Sequence, residues 1–316
     1  MPSWVEPELA TLTHDRFSDP GWIFERKLDG ERCLAFAEAA DVRLYSRSRH
    51  EITGAFPEIA AALAARHDGD LIADGEIVAF DGTQTRFGRL QQRLGVAHPG
   101  DALLREVPVY YYLFDVLFAE GRDVRQLPLL ERKRALARSV KFRDPLRFTE
   151  HRDRDGEAFY RQACRDGWEG LVAKRADAPY QAGRSRDWLK FKCENAQEFV
   201  IGGYTDPQRT RVGFGALLLG YYDADGGLVY AGKVGTGFDT RTLRSLHDRL
   251  ARLERDSPAF RNGRLPPHRD VHWVEPRLVA QVGFAEWTRD GELRQARFEG
   301  LRDDKEAAEV VREVPS

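Results

Sequence analysis

Glu25-Arg26-Lys27-Leu28-Asp29-Gly30-Glu31-Arg32 follows directly on the apolar run Trp22-Ile23-Phe24. The octapeptide reads ExKxDGxR and sets one lysine among acidic groups just after that run. A lysine is a poor nucleophile while protonated, with an ordinary pKa of about 10.4. Burial or neighbouring cations depress that pKa and make the amine reactive. Lys27 is therefore a candidate covalent nucleophile, and the rest of the chain must supply the groups such a lysine works with.

Outward from this stretch, six further segments carry chemistry in a fixed order: Ser46-Arg47, Asp74-Gly75-Glu76-Ile77-Val78, Phe114-Asp115, Glu169-Gly170-Leu171-Val172-Ala173-Lys174, Trp188-Leu189-Lys190-Phe191-Lys192 and Gly300-Leu301-Arg302-Asp303-Asp304-Lys305. Lys190 and Lys192 are two apart on an alternating, strand-like stretch and so share a face. Paired cations on one face are costly unless an anion is bound, and a phosphate is such an anion. Lys190, Lys192 and a divalent metal would place positive charge near Lys27. Arg32 and Arg47 suit phosphate oxygens because the guanidinium fork is planar. Glu169 is the candidate metal ligand, with Glu76 as a second carboxylate, since phosphoryl transfer needs cations to neutralise phosphate oxygens.

The coarse pattern gives two domains. Val42–Arg47 alternates as a half-buried strand does, Pro57–Arg66 has helical spacing, and Asp70–Phe80 is a second strand region. Gly82–His98 is polar with helical potential, and Val107–Phe118 is apolar and aromatic enough for a buried central strand. Leu127–Val140 reads as a basic helix and Glu157–Arg165 as another, ended by Gly167; Gly170–Lys174 reads as a short strand. From Phe199 onward the signals are short, Gly-rich and β-like, with one helix over Thr240–Leu253; this texture fits a small barrel. A short helix is expected after Lys305. The boundary is expected near Glu194-Asn195-Ala196-Gln197, giving domains 1–196 and 197–316.

Bulk properties narrow the classes. The 316 residues are 42% hydrophobic and 32% charged, with a formal net charge of −2, so polyanion binding must come from local patches. Cys33, Cys164 and Cys193 are odd in number and widely spaced, without a CxxC pair. Neither a disulfide framework nor a zinc site is expected, and a reducing compartment fits. No signal peptide or membrane-spanning run is visible, so a cytoplasmic monomer is expected. His268 and His272 are read as surface residues rather than a ligand pair.

Taken together, the ordered segments resemble the motif set of the ATP-dependent DNA ligases, within the lysine-dependent nucleotidyltransferases. The match covers nearly the whole chain. Trp168-Glu169-Gly170, Ile201-Gly202-Gly203-Tyr204, Glu286-Trp287-Thr288 and Gly300 to Lys305 look most like the ligase module of bacterial end-joining ligases. The resemblance implies an α+β fold: a nucleotidyltransferase (adenylation) domain of mixed and antiparallel sheets with flanking helices, then an OB-fold barrel. It implies that Lys27 attacks the α-phosphate of ATP, and that Lys190 and Lys192 bind that phosphate. Glu76 would accept from the ribose hydroxyls, Phe114 would stack on adenine, and Glu25 would help read the adenine edge. Arg32 and Arg47 would contact ribose, phosphate or the 3′-OH end, Asp29 would orient the loop or assist later steps, and Lys174 would reach phosphate. Arg302, Asp304 and Lys305 would align the pyrophosphate from the barrel, with a hinge near Asn195.

ATP and Mg²⁺ or Mn²⁺ are the implied cofactors, and nicked duplex DNA the implied substrate, at the bacterial nucleoid. Arg132, Lys133, Arg134, Arg138, Lys141, Arg143 and Arg147 form a basic stretch that could track a phosphate backbone, with Arg184, Arg186, Arg209 and Arg211 near the domain junction. The DNA-encircling, polymerase and phosphoesterase modules of larger relatives have no counterpart in the match. This is then either an excised module or a protein whose partners supply those activities, with the DNA-end-binding protein Ku among them. The alternatives are an RNA ligase or capping-type nucleotidyltransferase, and a catalytically inactive DNA-end scaffold.

Overall fold

The computed structural model describes residues 1–207, 210–262, 265 and 270–314; Arg209 and His268 lie outside them. The chain divides into two compact units, Met1–Cys193 with Val314, and Glu194–Glu313. The boundary thus falls at 193/194 rather than 196/197, and Asn195 already opens a strand of the second unit.

Two sheets build the first unit. In one, the order is Glu8–Leu12, Gly183–Lys192, Gly170–Arg175, Trp22–Lys27, His151–Asp153. In the other, the main path is Asp41–Ser46, Glu31–Glu38, Leu71–Asp81, Val109–Ala119, Arg122–Asp123, with Leu146–Phe148 also against Val109–Ala119. The apolar run ending in Phe118 becomes the centre of this second sheet, where Leu113, Val116 and Ala119 join the largest core cluster. Gly82–His98 contains less helix than its polarity implies: Gln84–Thr85 is a strand and Phe87–Leu90 a single helical turn.

The helix Leu129–Ser139 buries Leu129, Arg132, Lys133, Ala135, Leu136 and Ser139 on one stripe. That overturns the reading of a continuous basic stripe. Arg132 and Lys133 sit at the inward spacing set by Leu129 and Leu136, and each meets a buried carboxylate. Arg138, Lys141 and Arg147 are also paired, with Glu120, Asp68 and Asp144. Arg134 and Arg143 remain exposed.

The second unit is a β-barrel-like sheet centred on Asn195–Thr205, which pairs with Leu217–Tyr222, Val271–Val274 and Val279–Phe284. Thr240–Ala251 packs Leu243, Leu246 and Leu250 into its core. Among the described residues, a 3₁₀ turn, Ala307–Glu309, stands where the short helix after Lys305 is expected. Among the described residues no helix is long and apolar enough to cross a membrane.

Gly156–Arg165 ends in a Schellman turn: Gly167 N–H donates to Cys164 O and Trp168 N–H to Ala163 O. Gly167 takes φ +70°, which glycine adopts without steric cost. This turn brings Cys164 against the end of the Gly183–Lys192 strand, and Cys164 and Cys193 form a disulfide. The expectation of no disulfide is therefore corrected: a pair 29 residues apart becomes visible only once helix and strand are packed. Cys33 stays buried and unpaired. Closing a loop of that length stabilises a fold by about 3–4 kcal/mol. Urea unfolding should show a loss of that order in reductant for the wild type and none for Cys164→Ser/Cys193→Ser; coincident wild-type curves with and without reductant would contradict it.

Candidate active site

Strand register lays the chemistry out in rows. Paired residues of adjacent strands share a face. Lys27 pairs with Gly170, and Gly170 with Lys192. Glu25 pairs with Val172, and Val172 with Lys190. Ile23 pairs with Lys174, and Lys174 with Trp188. The three rows follow each other at about 7 Å, two residues of strand rise each. The opposite face carries Phe24, Leu171, Ala173 and Phe191, which pack on Phe159 and Ala163 of the helix. Gly170, at φ +149°, lies between the two lysines of the first row, and a Cβ there would meet Phe191 O at 1.8 Å.

At the Lys27 end, the Schellman turn delivers Glu169, whose Oε2 lies 2.7 Å from Lys27 Nζ. Burial would lower the Lys27 pKa, but the Glu169 contact and the charges of Glu76 and Asp29 outweigh it and hold the amine above its ordinary value. A carboxylate contact rather than a neighbouring cation thus sets the direction at Lys27. Asp29 accepts from Phe87 N–H at the start of a helical turn, 2.9 Å, and its own N–H reaches Thr85 Oγ1, 3.2 Å. It fixes the loop after Lys27. Glu76 stands between Arg32 and Tyr112 in the register of the second sheet. Arg47 is half-buried in the turn after Asp41–Ser46.

The Glu25 end is built differently. Glu25 is 2% exposed, with Lys133 Nζ at 2.5 Å and Lys174 Nζ at 2.7 Å. Burial would raise its pKa, and the two ammonium groups overcome that to hold it below the usual carboxylate value. Burial pushes Lys174 down, against the attraction of Glu25. Lys174 Nζ has Glu25 as its one close acceptor and otherwise faces the rings of Phe114 and Trp188, at 4.0 and 3.9 Å. Its row is two rows from that of Lys27, so it belongs to the Glu25 end.

Phe114 is the bulged residue of its strand: Asp115 pairs with Asp74 and Leu113 with Gly75. Its ring is 7% exposed and carries Arg32 Cζ at 4.6 Å as well as Lys174. Arg32 forks onto Asp74 with two 2.6 Å contacts, and Tyr180 donates to the same carboxylate. That pairing outweighs burial and raises the guanidinium pKa further. In the second unit, Arg302 forks onto Asp304 at 2.8 and 2.6 Å, and Glu198 lies 3.8 Å from Arg302 and 3.3 Å from Lys305.

The sequence alone does not reveal Tyr180 or Glu198, the pairing of Lys133 with Glu25 and of Asp74 with Arg32, or the clamp of Arg132 on Asp115. Helical spacing from Leu129 and Leu136 is the one signal that marks Arg132 and Lys133 as inward.

Residues 7–192 match the family model of the ATP dependent DNA ligase domain, and residues 210–305 that of the ATP dependent DNA ligase C terminal region. The chain belongs to the ATP-dependent DNA ligases. It is 40% identical over its whole length to the multifunctional non-homologous end joining protein LigD of Pseudomonas aeruginosa, and 38% identical over 92% of its length to LigD of Mycobacterium tuberculosis. It spans 37% of the length of each of these curated relatives. A solved structure of mycobacterial DNA ligase D complexed with ATP and MES is 36% identical and covers 98% of both chains, with a TM-score of 0.69. The two units are thus the nucleotidyltransferase and OB-fold parts of a ligase.

The Lys27–Glu169 pair gives the ligase a titration signature. Without Glu169 the ammonium loses its nearest anion, so its pKa must fall. In metal-free buffer, the pH dependence of Lys27 acetylation, followed by peptide mass spectrometry, should have its inflection at lower pH in Glu169→Gln than in the wild type. An unchanged or higher inflection would contradict the pairing.

Proposed function

We propose that Lys27 takes AMP from ATP and passes it to the 5′-phosphate of a nicked duplex. The observation that carries this reading is the row of Lys27 and Lys192 across a side-chain-free Gly170, with Glu169 against the lysine amine. Lys27 Nζ, freed of its proton, attacks the α-phosphorus; the P–N bond forms, the bond to the bridging oxygen breaks, and pyrophosphate leaves. The DNA 5′-phosphate then attacks the same phosphorus and restores Lys27. Finally the 3′-OH attacks the activated 5′-phosphate and AMP leaves.

Lys192 and Lys190 take the α-phosphate, and Glu76 the ribose hydroxyls. Glu25 and Phe114 take the base, with Lys174 beside them rather than on phosphate. Lys174 supports the fit: a buried ammonium has three donors and here one close acceptor, next to an aromatic plane. Stacking of adenine on Phe114 requires Lys174 or Arg32 to leave the ring. Arg32 and Arg47 serve ribose, phosphate or the 3′ end, and Asp29 holds the loop in place. Arg302, Asp304 and Lys305 serve the pyrophosphate step once their mutual ion pairs open.

Glu169 and Glu76 would hold the metal ion. Hard carboxylate oxygens suit Mg²⁺ or Mn²⁺, and such an ion takes only one or two carboxylates from the protein, the rest from water and phosphate. Bound there, the ion would neutralise phosphate charge and draw Glu169 from Lys27.

The end-joining setting is inferred from the names of the relatives. It would place the ligase on DNA ends at the nucleoid beside a Ku-type end-binding protein, with polymerase and phosphoesterase activities supplied from elsewhere in a longer chain or by separate proteins.

Intact mass before and after ATP with Mg²⁺ or Mn²⁺ tests the covalent step. One AMP should add with ATP, none with GTP, and none to Lys27→Ala; the charged protein should then seal a nicked duplex. No adduct in any condition, with pre-bound AMP excluded, would sink the reading, and an adduct with GTP would point to capping chemistry.

A further inference from the structure

We propose that Lys133 is the positioning residue of the base end: it locks Glu25 and the backbone of Phe114 into one frame, so that the site accepts a purine bearing a 6-amino group and rejects a 6-oxo purine. The proposal rests on the reading above that Glu25 and Phe114 receive the base.

Lys133 is 2% exposed, on the inward stripe of Leu129–Ser139. An ammonium has three donors, and all three are used. They reach Glu25 Oε1 at 2.5 Å, Thr149 O at 3.0 Å and Phe114 O at 3.4 Å. These acceptors come from the Lys27 strand, the turn before His151–Asp153, and the central strand of the second sheet. Lys133 therefore ties both sheets together at the base end. Lys174 contacts the other Glu25 oxygen at 2.7 Å and, among the described residues, has no such backbone anchors. Of the two lysines, Lys133 is the fixed one and Lys174 the one with donors to spare.

Arg132, the preceding residue, completes the frame. It forks onto Asp115 with two 2.8 Å contacts and donates to Leu127 O and Ala178 O. Asp115 in turn accepts from Val116 N–H at 2.8 Å. Consecutive residues of one helix thus grip both sides of the bulge that aims Phe114, Lys133 at its carbonyl and Arg132 at the next side chain.

The selectivity follows from what Lys133 does to Glu25. A carboxylate held ionised can only accept. A 6-amino group donates to it, whereas a 6-oxo group sets oxygen against oxygen and leaves both unpaired. Sites built around a buried hydrogen-bonding group discriminate strongly for this reason. Without Lys133, Glu25 keeps only Lys174 of its two ammonium partners, and its position and its pure-acceptor character are both loosened.

The test compares lysyl-adenylate and lysyl-guanylate formation in the full chain, by initial rates against ATP and GTP, for the wild type, Lys133→Met and Lys133→Gln. Lys133→Met should raise KM for ATP about tenfold and lower the ATP-over-GTP preference by a similar factor, with kcat at saturating ATP within about threefold. A lowered melting temperature with wild-type KM and wild-type nucleotide preference would assign Lys133 to stability alone and overturn the proposal. If Lys133→Met does not fold, Lys133→Gln keeps an N–H donor for the carbonyls while removing the charge, and the same two criteria decide. A wild type that takes no nucleotide at all would fail at the earlier step and remove the covalent reading itself.

Discussion

Glu25 is a charge that the first unit can bury only because two ammonium groups are buried with it. An isolated carboxylate at 2% exposure costs several kcal/mol in lost hydration, and only close opposite charge with full hydrogen bonding offsets that. The consequence reaches far in the sequence. Lys133 must project inward, so Leu129–Ser139 must present a lysine where its periodicity offers a core position. Lys174 must face the same way as Glu25, which fixes the register of Gly170–Arg175 against Trp22–Lys27. One buried carboxylate thus constrains a helix, two strands and the bulge at Phe114.

The register so fixed also separates two kinds of chemistry. Glu25, Lys133, Lys174, Phe114 and Trp188 gather at one end, dry and aromatic. Lys27, Glu169 and Lys192 stand at the other, each partly open to solvent. A flat aromatic base with a polar edge suits the first environment. A phosphate with its metal ion needs the second, where water can complete the coordination shell. Gly170 keeps the floor between Lys27 and Lys192 free of a side chain, and the Schellman turn at Gly167 sets Glu169 at its rim.

Much of this was legible in the sequence because the chemistry-bearing residues cluster in short motifs. Lys27, Glu169, Lys190 and Lys192 could each be marked from local pattern, and most long elements follow from apolar periodicity. What stayed hidden depends on pairing across distance. The basic stretch from Arg132 to Arg147 reads as a solvated face until Asp115, Glu25, Glu120 and Asp144 are seen opposite its members. Likewise Cys164 and Cys193 become partners only through the packing of a helix on a strand end. At Lys27, likewise, the partner carboxylate Glu169 arrives from a turn 142 residues further on.

A single pattern runs through the ion pairs at these positions. Lys27 is held by Glu169, Arg32 by Asp74, Arg302 by Asp304 and Lys305 by Glu198. In each unit the chain balances these cations with carboxylates of its own. An anionic ligand would compete for such cations, and a divalent ion for a carboxylate such as Glu169. Binding is then an exchange of partners rather than a simple addition of charge, so each new contact is worth only its excess over the internal pair it replaces. Glu169 helps hold the Lys27 ammonium above its ordinary pKa, so loss of that contact would ease its deprotonation.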